Sequence, residues 1–314
     1  MEEIVRLVDI IVVNYESTDL LLRSIGSIHE CLHNPTAHII VQDNGSQDGV
    51  ERITSLYPHV LLTKNYANLG FAKAVNRGLR QSRAPYVVLL NPDACVASDF
   101  LATALQFMAE NDDVGIMGPR ILDPDGTIQD SARSFPDPLT GLFGRSSLLS
   151  KWFPNNVLTR RNLLTRACDG STPMEVDWVS GACMVVRKKA VEEIGAMDER
   201  FFLYWEDADW CRRMWRVGWK VVYFPGASVV HVAGGSSDRV PTRALIEFHR
   251  SGYRLFAKYA GGAQRLAKPL VFWALALRLL LMLFRQGLGE LAGRPDSRRK
   301  LADTATRKGS EQGR

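Results

Sequence analysis

The stretch VDIIVVNYES, residues 8–17, joins an apolar run of strand length directly to a polar loop. The same pairing recurs along the first part of the chain, in the apolar runs HIIVQ (38–42), VLLT (60–63), YVVLL (86–90) and VGIMG (114–118). Helical patterns lie between these runs, from about residue 18 and over 47–56, 70–81 and 98–110. Alternating strands and helices predict a parallel sheet with helices on both faces, and ligands bind such sheets at the carboxyl ends of the strands. The polar loops that follow the strands are therefore the place to look for a site.

Composition narrows the class of protein. The 314 residues are 46% hydrophobic and 23% charged, which is enough for one large domain with an appendage. Of the net charge of +5, most lies in the tail, where eight Lys and Arg face four Asp and Glu from Arg285 onward. A basic tail on a nearly neutral domain gives no reason to expect a nucleic-acid partner.

Five scattered cysteines without a C-x-x-C pair argue against a disulfide framework or a zinc ribbon, and predict a reducing compartment. The start MEEIVRLVDIIVV lacks the basic residues and cleavage site of a signal peptide. We therefore expect a cytoplasmic location.

The C-terminal part carries one long apolar run, PLVFWALALRLLLMLF, residues 269–284. Sixteen helical residues reach about 24 Å, short of the roughly 30 Å hydrocarbon core of a bilayer. With Lys268, Arg278 and Arg285 beside it, the run favours a helix that lies in the membrane interface. The alternative is a helix packed on the domain or on a second copy of the chain, so a homo-oligomer stays open.

The stretch FFLYWEDADW, residues 201–210, places aromatic and acidic side chains together before a helix predicted from Glu206 to Val217. Asp209 precedes Arg213 by four residues, which is the spacing of an ordinary helical ion pair. Glu206 and Asp207 are then the acids of this stretch without an evident structural task. Tyr204 and Trp205 offer an apolar face for a sugar ring.

Three polar residues at predicted strand ends have chemistry that suits a nucleotide ligand. Asp43 can accept the imide N–H of a pyrimidine or, equally, brace its own turn. Asp93, in NPDA, offers a carboxylate for Mg²⁺ or Mn²⁺, although Pro92 also makes a plain turn possible. His231 suits Mn²⁺ better than Mg²⁺, the alternative being a histidine satisfied at a strand end.

In order, the segments VNYES, VQDNGSQDG, NLGFAKAVNRGL, NPDA and SGACMVVRKKAVEEIGAMDERFFLYWEDADWCRR, with the later His231, resemble the inverting, nucleotide-sugar-dependent glycosyltransferases of family two. Within that family the likeness is greatest to bacterial rhamnosyltransferases and galactofuranosyltransferases. The resemblance covers about residues 8–237 and implies an α/β GT-A (Rossmann-like) fold with a mostly parallel central sheet and helices on both faces. Amphipathic C-terminal helices would follow it.

The resemblance also implies roles. Asp207 matches the catalytic base and Glu206 its neighbour that positions the acceptor, while Asp93 and His231 match the metal ligands. The residues implied to contact the nucleotide are Asn14, Tyr15, Glu16, Asp43, Asn68, Gly70, Asn76 and Asn91. One departure matters, because Asn91 stands where the family's D-x-D motif has its first acid, and a neutral amide gives a cation less charge.

From the same resemblance we expect a domain over 1–240, with a nucleotide-sugar half to about 118 and an acceptor and catalytic half over about 119–240. A helical, membrane-interface segment would follow over 241–284 and a basic tail over 285–314. The implied partners are a nucleotide-sugar donor, a divalent cation and a glycan or polyprenyl-linked saccharide acceptor at the inner face of the cell membrane. dTDP-rhamnose is the first expected donor and a UDP-linked galactofuranose or hexose the second.

Other classes fit less well. A dinucleotide-binding dehydrogenase needs G-x-G-x-x-G after the first strand, where this chain has VNYES. A nucleotidyltransferase favours a glycine-rich basic loop there and has no use for a late acid pair. A scaffold that binds nucleotide sugar without turnover stays open because of Asn91.

Overall fold

The computed structural model describes residues 6–31, 37–136, 163–232 and 241–291. Residues 137–162 of the loop-rich stretch between Pro119 and Pro173, the AGGSS segment after His231 and residues 292–314 of the basic tail lie outside these ranges. The domain boundaries expected from the sequence therefore stay predictions.

The described chain forms eleven strands and eight α-helices; nine of the strands make one mixed sheet, and the other two pair in a separate small sheet. The strands are β1 (Val8–Asn14), β2 (Ala37–Asp43), β3 (Leu61–Lys64), β4 (Tyr86–Leu90), β5 (Ala94–Val96), β6 (Val114–Leu122), β7 (Ala132–Arg133), β8 (Met174–Glu175), β9 (Trp178–Val179), β10 (Cys183–Arg187) and β11 (Lys220–His231). The helices are α1 (Thr18–Cys31), α2 (Arg52–Leu56), α3 (Phe71–Gln81), α4 (Phe100–Glu110), α5 (Lys188–Ile194), α6 (Glu206–Arg216), α7 (Pro241–Tyr259) and α8 (Lys268–Leu291).

The large sheet runs in the order β3-β2-β1-β4-β10-β6-β11-β5, with β8 beside β11. The first four strands of this order are parallel, and β6 is parallel to β11. β10 is antiparallel to both its neighbours, and β5 is antiparallel to β11. Helices cover both faces and bury two apolar cores, so the mostly parallel, doubly covered sheet expected from the sequence is confirmed.

The register brings the strand-end residues together. Asn14 pairs with Asp43 across β1 and β2, and His231 pairs with Ala94 across β11 and β5. Backbone pairing thus places Asn14 beside Asp43, and His231 beside the residue that follows Asp93.

Some elements differ from the sequence prediction. The helix expected over 47–56 begins only at Arg52, because the segment before it is a turn with Gly49 at φ +80°. Strand β5, which the sequence does not predict, follows directly after a turn at Pro92 and Asp93. The strand expected before α5 is two strands, β9 and β10, separated by Ser180–Ala182.

The C-terminal helices form an antiparallel pair joined by a 3-10 turn over Gly262–Ala267. The rings of Tyr253 and Phe272 lie 5.4 Å apart, and Gln286 donates to Thr242 over 3.1 Å. α8 has 24 residues, about 36 Å, instead of the sixteen expected. The length argument against spanning was therefore wrong, and the segment Gly262–Leu288 is long and apolar enough to cross a membrane.

Candidate active site

The first polar cluster lies at the carboxyl ends of β1 and β2. Asp43 is fully buried, and its carboxylate accepts hydrogen bonds from the Asn14 side chain, from the Gly45 and Ser46 amides and from the Ser46 hydroxyl, over 2.5–3.2 Å. Four donors match the four lone-pair directions of a carboxylate. Asp43 therefore braces its own turn in this structure, and a contact between its side chain and a base stays a prediction.

Further hydrogen bonds join the loop after β1 to the loop after β2. Glu16, at φ +51°, donates its amide to the Ser46 hydroxyl, and its carboxylate accepts from the Gln47 amide. Tyr15 beside it is half-buried. A cavity of about 290 Å³ opens next to these residues, lined by Gly45, Ser46, Gln47, Gly49, Glu51, Lys64, Asn65 and Tyr66. The cavity reaches neither Asp93 nor Asp207, so it is at most the outer part of a donor site.

Gly70 joins this cluster to the loop that carries the acid pair. Asn68 accepts from the Gly70 amide over 2.9 Å, and Asn44 donates to the Gly70 carbonyl over 3.2 Å. Gly70 has φ +84°, and a Cβ there would lie 2.5 Å from the Phe202 carbonyl oxygen. The Phe71 amide donates to that same oxygen over 2.7 Å. The loop before α6 can sit this close because residue 70 has no side chain.

Asn76 and Asn91, both expected to contact the nucleotide, make hydrogen bonds within the protein. The buried Asn76 amide binds the Met197 amide and carbonyl over 2.9 Å each, so it ties α3 to the loop after α5. Asn91 uses its backbone, which donates to Ala182 and accepts from Ala94. Their contacts with a nucleotide stay predictions.

The predicted metal ligands lie together. Asp93 Oδ1 and His231 Nε2 are 3.3 Å apart, and the Val232 amide donates to the Asp93 carbonyl over 3.0 Å. A carboxylate and an imidazole are donors that Mn²⁺ accepts. Among the described residues no group of three His, Cys, Asp or Glu side chains is placed to hold a metal, so the two residues fit a cation only if a ligand supplies further oxygens.

Gln129 contacts His231 twice, although no sequence motif points to it. Gln129 Oε1 lies 3.0 Å from His231 Nδ1, and Gln129 Nε2 donates to the His231 carbonyl over 2.8 Å. The Asp123 carboxylate accepts from the same Nε2 over 2.7 Å. Gln129 stands in a stretch without recognisable periodicity, so only the fold reveals its position.

Glu206 and Asp207 open α6. The half-buried Asp207 accepts from the Gly181 amide over 3.0 Å and from the Ala208 amide over 2.8 Å. Glu206 is 5% exposed, and its Oε2 has no hydrogen-bond partner among the described residues.

Burial sets the protonation of this pair. Desolvation raises the pKa of Asp207, which the Gly181 and Ala208 amides and the Arg133 guanidinium partly oppose. Desolvation, and then the charge of Asp207, hold the pKa of Glu206 well above its usual range. The arrangement favours a proton on Glu206 and the negative charge on Asp207, which then can accept a proton from a substrate. No sequence motif points to Arg133 either.

The two aromatic residues before the pair have left-handed backbones, Tyr204 at φ +67° and Trp205 at φ +71°. Trp205 packs between Trp178 and Phe248, at ring distances of 6.0 and 5.3 Å, and donates to the Phe248 carbonyl. Its surroundings are those of a packed side chain, and a role of the two rings as a sugar platform stays a prediction. Left-handed geometry at two bulky residues costs free energy, and such strain is common at functional sites.

The ion pair expected inside α6 is present. Asp209 is fully buried, and Arg213 Nε lies 3.1 Å from it. Lys258 and Tyr259 of α7 also contact Asp209, over 2.6 and 2.7 Å. These contacts fasten α7 to the acid-bearing helix.

Comparison with known proteins now identifies the fold. The family model described as glycosyl transferase family 2 matches residues 9–195. The chain belongs to glycosyl transferase family 2. The N-acetylglucosaminyl-diphospho-decaprenol L-rhamnosyltransferase of Mycobacterium tuberculosis is 32% identical over 286 residues, which are 87% of this chain and 92% of that protein. A dTDP-rhamnosyl transferase of Shigella flexneri is 24% identical over 70% of this chain and 68% of its own length.

Solved structures agree on the fold of this family 2 glycosyltransferase. A mannosyltransferase from Pyrobaculum calidifontis, crystallised with GDP-Man and Mn²⁺, has a TM-score of 0.54 at 17% identity and covers 95% of this chain and 84% of its own. GalNAc-T7, crystallised with UDP, GalNAc and Mn²⁺, has a TM-score of 0.52 at 15% identity over 73% of this chain and 44% of its own. The family and the GT-A fold expected from the sequence are confirmed, and the dehydrogenase class is excluded.

Proposed function

We propose that this enzyme transfers rhamnose from dTDP-rhamnose, with inversion, to a hydroxyl group of a polyprenyl-diphosphate-linked saccharide in the synthesis of a cell-surface glycan. The observation that carries the proposal is Asp207, a half-buried acid in the first turn of α6 beside a buried second acid. The 32% identity to a rhamnosyltransferase, named for a lipid-linked acceptor, supports the choice of sugar and acceptor.

Asp207 is the general base of the proposed reaction. Its carboxylate takes the proton from the acceptor hydroxyl as that oxygen attacks the anomeric carbon, on the face opposite the diphosphate. The Gly181 amide and the Ala208 amide hold the carboxylate in place. Glu206, kept protonated by burial, adds no second negative charge and positions the acceptor.

The donor lies along the carboxyl ends of β1, β2 and β4 in this proposal. The cluster around Asp43 and Ser46 shapes the pocket for the base, and the Gly70 turn brings the acid-pair loop next to the donor. Asp93 and His231 would hold Mg²⁺ or Mn²⁺ together with diphosphate oxygens. A bound cation would offset the negative charge of the departing diphosphate.

A membrane surface is the proposed location of the acceptor and of α8. One side of α8 carries exposed apolar residues at helical spacing, namely Leu270, Trp273, Leu277, Leu281, Phe284 and Leu288. No acid occurs between Gly262 and Leu288, whereas Arg265, Lys268, Arg278 and Arg285 do. Because α8 packs along α7, which Lys258 fastens to Asp198 and Asp209, we infer that α8 lies in the interface of the inner leaflet.

The activity is tested with purified enzyme, polyprenyl-diphosphate-N-acetylglucosamine and four separate donors: dTDP-rhamnose, UDP-galactofuranose, UDP-glucose and UDP-N-acetylglucosamine. The expected result is metal-stimulated transfer from dTDP-rhamnose with inverted anomeric configuration. Transfer from a UDP-sugar alone would replace the donor, and binding of donors without any transfer would favour a non-catalytic scaffold.

Membrane binding is tested by co-sedimentation with anionic and neutral vesicles. The wild-type chain is expected to sediment with anionic vesicles and to be released by alkaline carbonate, whereas Leu277→Glu with Leu281→Glu stays in solution. Resistance to carbonate would mean a spanning helix, and equal sedimentation of the variant would contradict a role of this face.

A further inference from the structure

Gln129 has an unusual position beside the proposed cation site. It is 7% exposed, its backbone amide donates to Ile121, and its side chain makes three hydrogen bonds. Two of these go to His231 and one to Asp123. Neither Gln129 nor Asp123 belongs to the motifs that point to the family.

The contacts determine which way the Gln129 amide faces. Its Nε2 has two neighbours, the Asp123 carboxylate at 2.7 Å and the His231 carbonyl at 2.8 Å, and both are acceptors. An amide NH₂ is the group that satisfies two acceptors, so the Gln129 carbonyl oxygen must face His231 Nδ1. An oxygen at 3.0 Å from a ring nitrogen requires a proton on that nitrogen.

The tautomer of His231 follows. With a proton on Nδ1 facing Gln129, the ring nitrogen Nε2 faces Asp93 Oδ1, 3.3 Å away, in a largely buried place. A positive charge between two such ligand atoms is favourable, and a divalent cation supplies it.

We propose that Gln129 is a positioning residue, which fixes the Nδ1-protonated tautomer of His231 so that Nε2 and Asp93 together receive the cation of the donor diphosphate. The inference rests on the proposed function in one respect, namely that the cation is bound together with the diphosphate of the donor. Partners of this kind orient metal-binding histidines, and their loss lowers metal affinity about 10–100-fold.

The test combines two measurements on the full chain, with Mn²⁺ and inorganic pyrophosphate as the probes. Long-range ¹⁵N NMR of the metal-free protein reports the His231 tautomer, and calorimetry reports Mn²⁺ affinity with pyrophosphate present. The wild type is expected to hold the proton on Nδ1. Gln129→Leu is expected to lose this preference and to bind Mn²⁺ about 10–100-fold more weakly.

Gln81→Leu is the matched control, because it removes a glutamine that bonds Gln42 and Thr63 far from this site, and it should leave Mn²⁺ affinity unchanged. Gln129→Glu with Asp123→Asn reverses donor and acceptor in their bond and keeps an acceptor for Nδ1, while the His231 carbonyl loses its donor. This variant should therefore recover only part of the affinity.

A wild-type Nδ1 that carries no proton, or an unchanged Mn²⁺ affinity in folded Gln129→Leu, would overturn the inference. The wild-type measurement decides even if that variant does not fold. Pyrophosphate carries neither base nor sugar, so failure of rhamnosyl transfer would leave this result standing and would count only against the proposed function.

Discussion

Two buried carboxylates at opposite ends of the proposed site contrast sharply. Asp43 meets four hydrogen-bond donors from its own turn and from β1. Glu206 is almost as buried, yet its Oε2 has no partner among the described residues, and the two residues before it have left-handed backbones. Glu16 at the donor end also has a left-handed backbone, so the contrast lies in the hydrogen bonds: the Asp43 carboxylate is satisfied, whereas Glu206 has, within the described part of the chain, an unpaired oxygen and a raised pKa. A buried acid with a perturbed pKa is expected where chemistry takes place.

The largest effect is expected from Asp207→Asn. The amide keeps the size of the side chain but is no base, so turnover should fall by about 10²–10⁴-fold while donor affinity stays near wild type. Single-turnover transfer and donor calorimetry measure the two quantities. Asp209→Asn is the matched control, since its partners are Arg213, Lys258 and Tyr259, and it should lower stability more than turnover.

At the donor end, Asp43→Ala should act through stability. Four donors lose their acceptor, and we expect the free energy of unfolding to fall by roughly 2–4 kcal/mol in urea titrations. A change below about 0.5 kcal/mol would mean that the turn does not depend on its carboxylate, and the contrast between the two ends would fail.

Gly70→Ala tests the contact that joins the two ends. The left-handed φ and the approach to the Phe202 carbonyl both oppose a Cβ, so we expect a loss of roughly 1–3 kcal/mol in stability and a lower kcat. Gly195→Ala is the control, because Gly195 has nearly the same φ with nothing within 4 Å of the added Cβ. An equal loss in both variants would mean that the Phe202 contact contributes nothing.

Glu206→Gln should have the smallest effect and a distinct pH dependence. Because the folded state raises the pKa of Glu206, wild-type stability falls relative to the variant as pH rises above the unfolded value of about 4.3. The variant should therefore match the wild type in acid and become the more stable of the two as pH rises toward 8. Thermal unfolding across this range measures the difference, and a gain that is largest in acid would have the wrong sign.

The sequence predicted the parts of the fold that depend on local pattern. The first four parallel strands, most helices and the Asp209–Arg213 pair follow from periodicity and spacing. Motif resemblance also identified the family and the GT-A fold. Asp93 and His231, which the resemblance implies to be metal ligands, lie close together in the structure.

Other features could not be read from the sequence, because they depend on contacts between distant segments. Gln129 reaches His231 across 102 positions, and Asp207 receives the Gly181 amide from a separate loop. Strand β10 lies antiparallel between β4 and β6. Which strands pair depends on the whole sheet, so the local sequence pattern does not predict this position. The length of α8 was underestimated because its last turns, after Phe284, are less apolar than its centre.

The central claim is that Asp207 is the base, and the pH dependence of kcat/KM tests it most directly. For the wild type, we expect kcat/KM to fall in acid with an apparent pKa above the ordinary 3.8 of aspartate, because burial raises the pKa of Asp207. The residual activity of Asp207→Asn should lack this acid limb. An acid limb retained unchanged in Asp207→Asn would assign the base to another group and contradict the account.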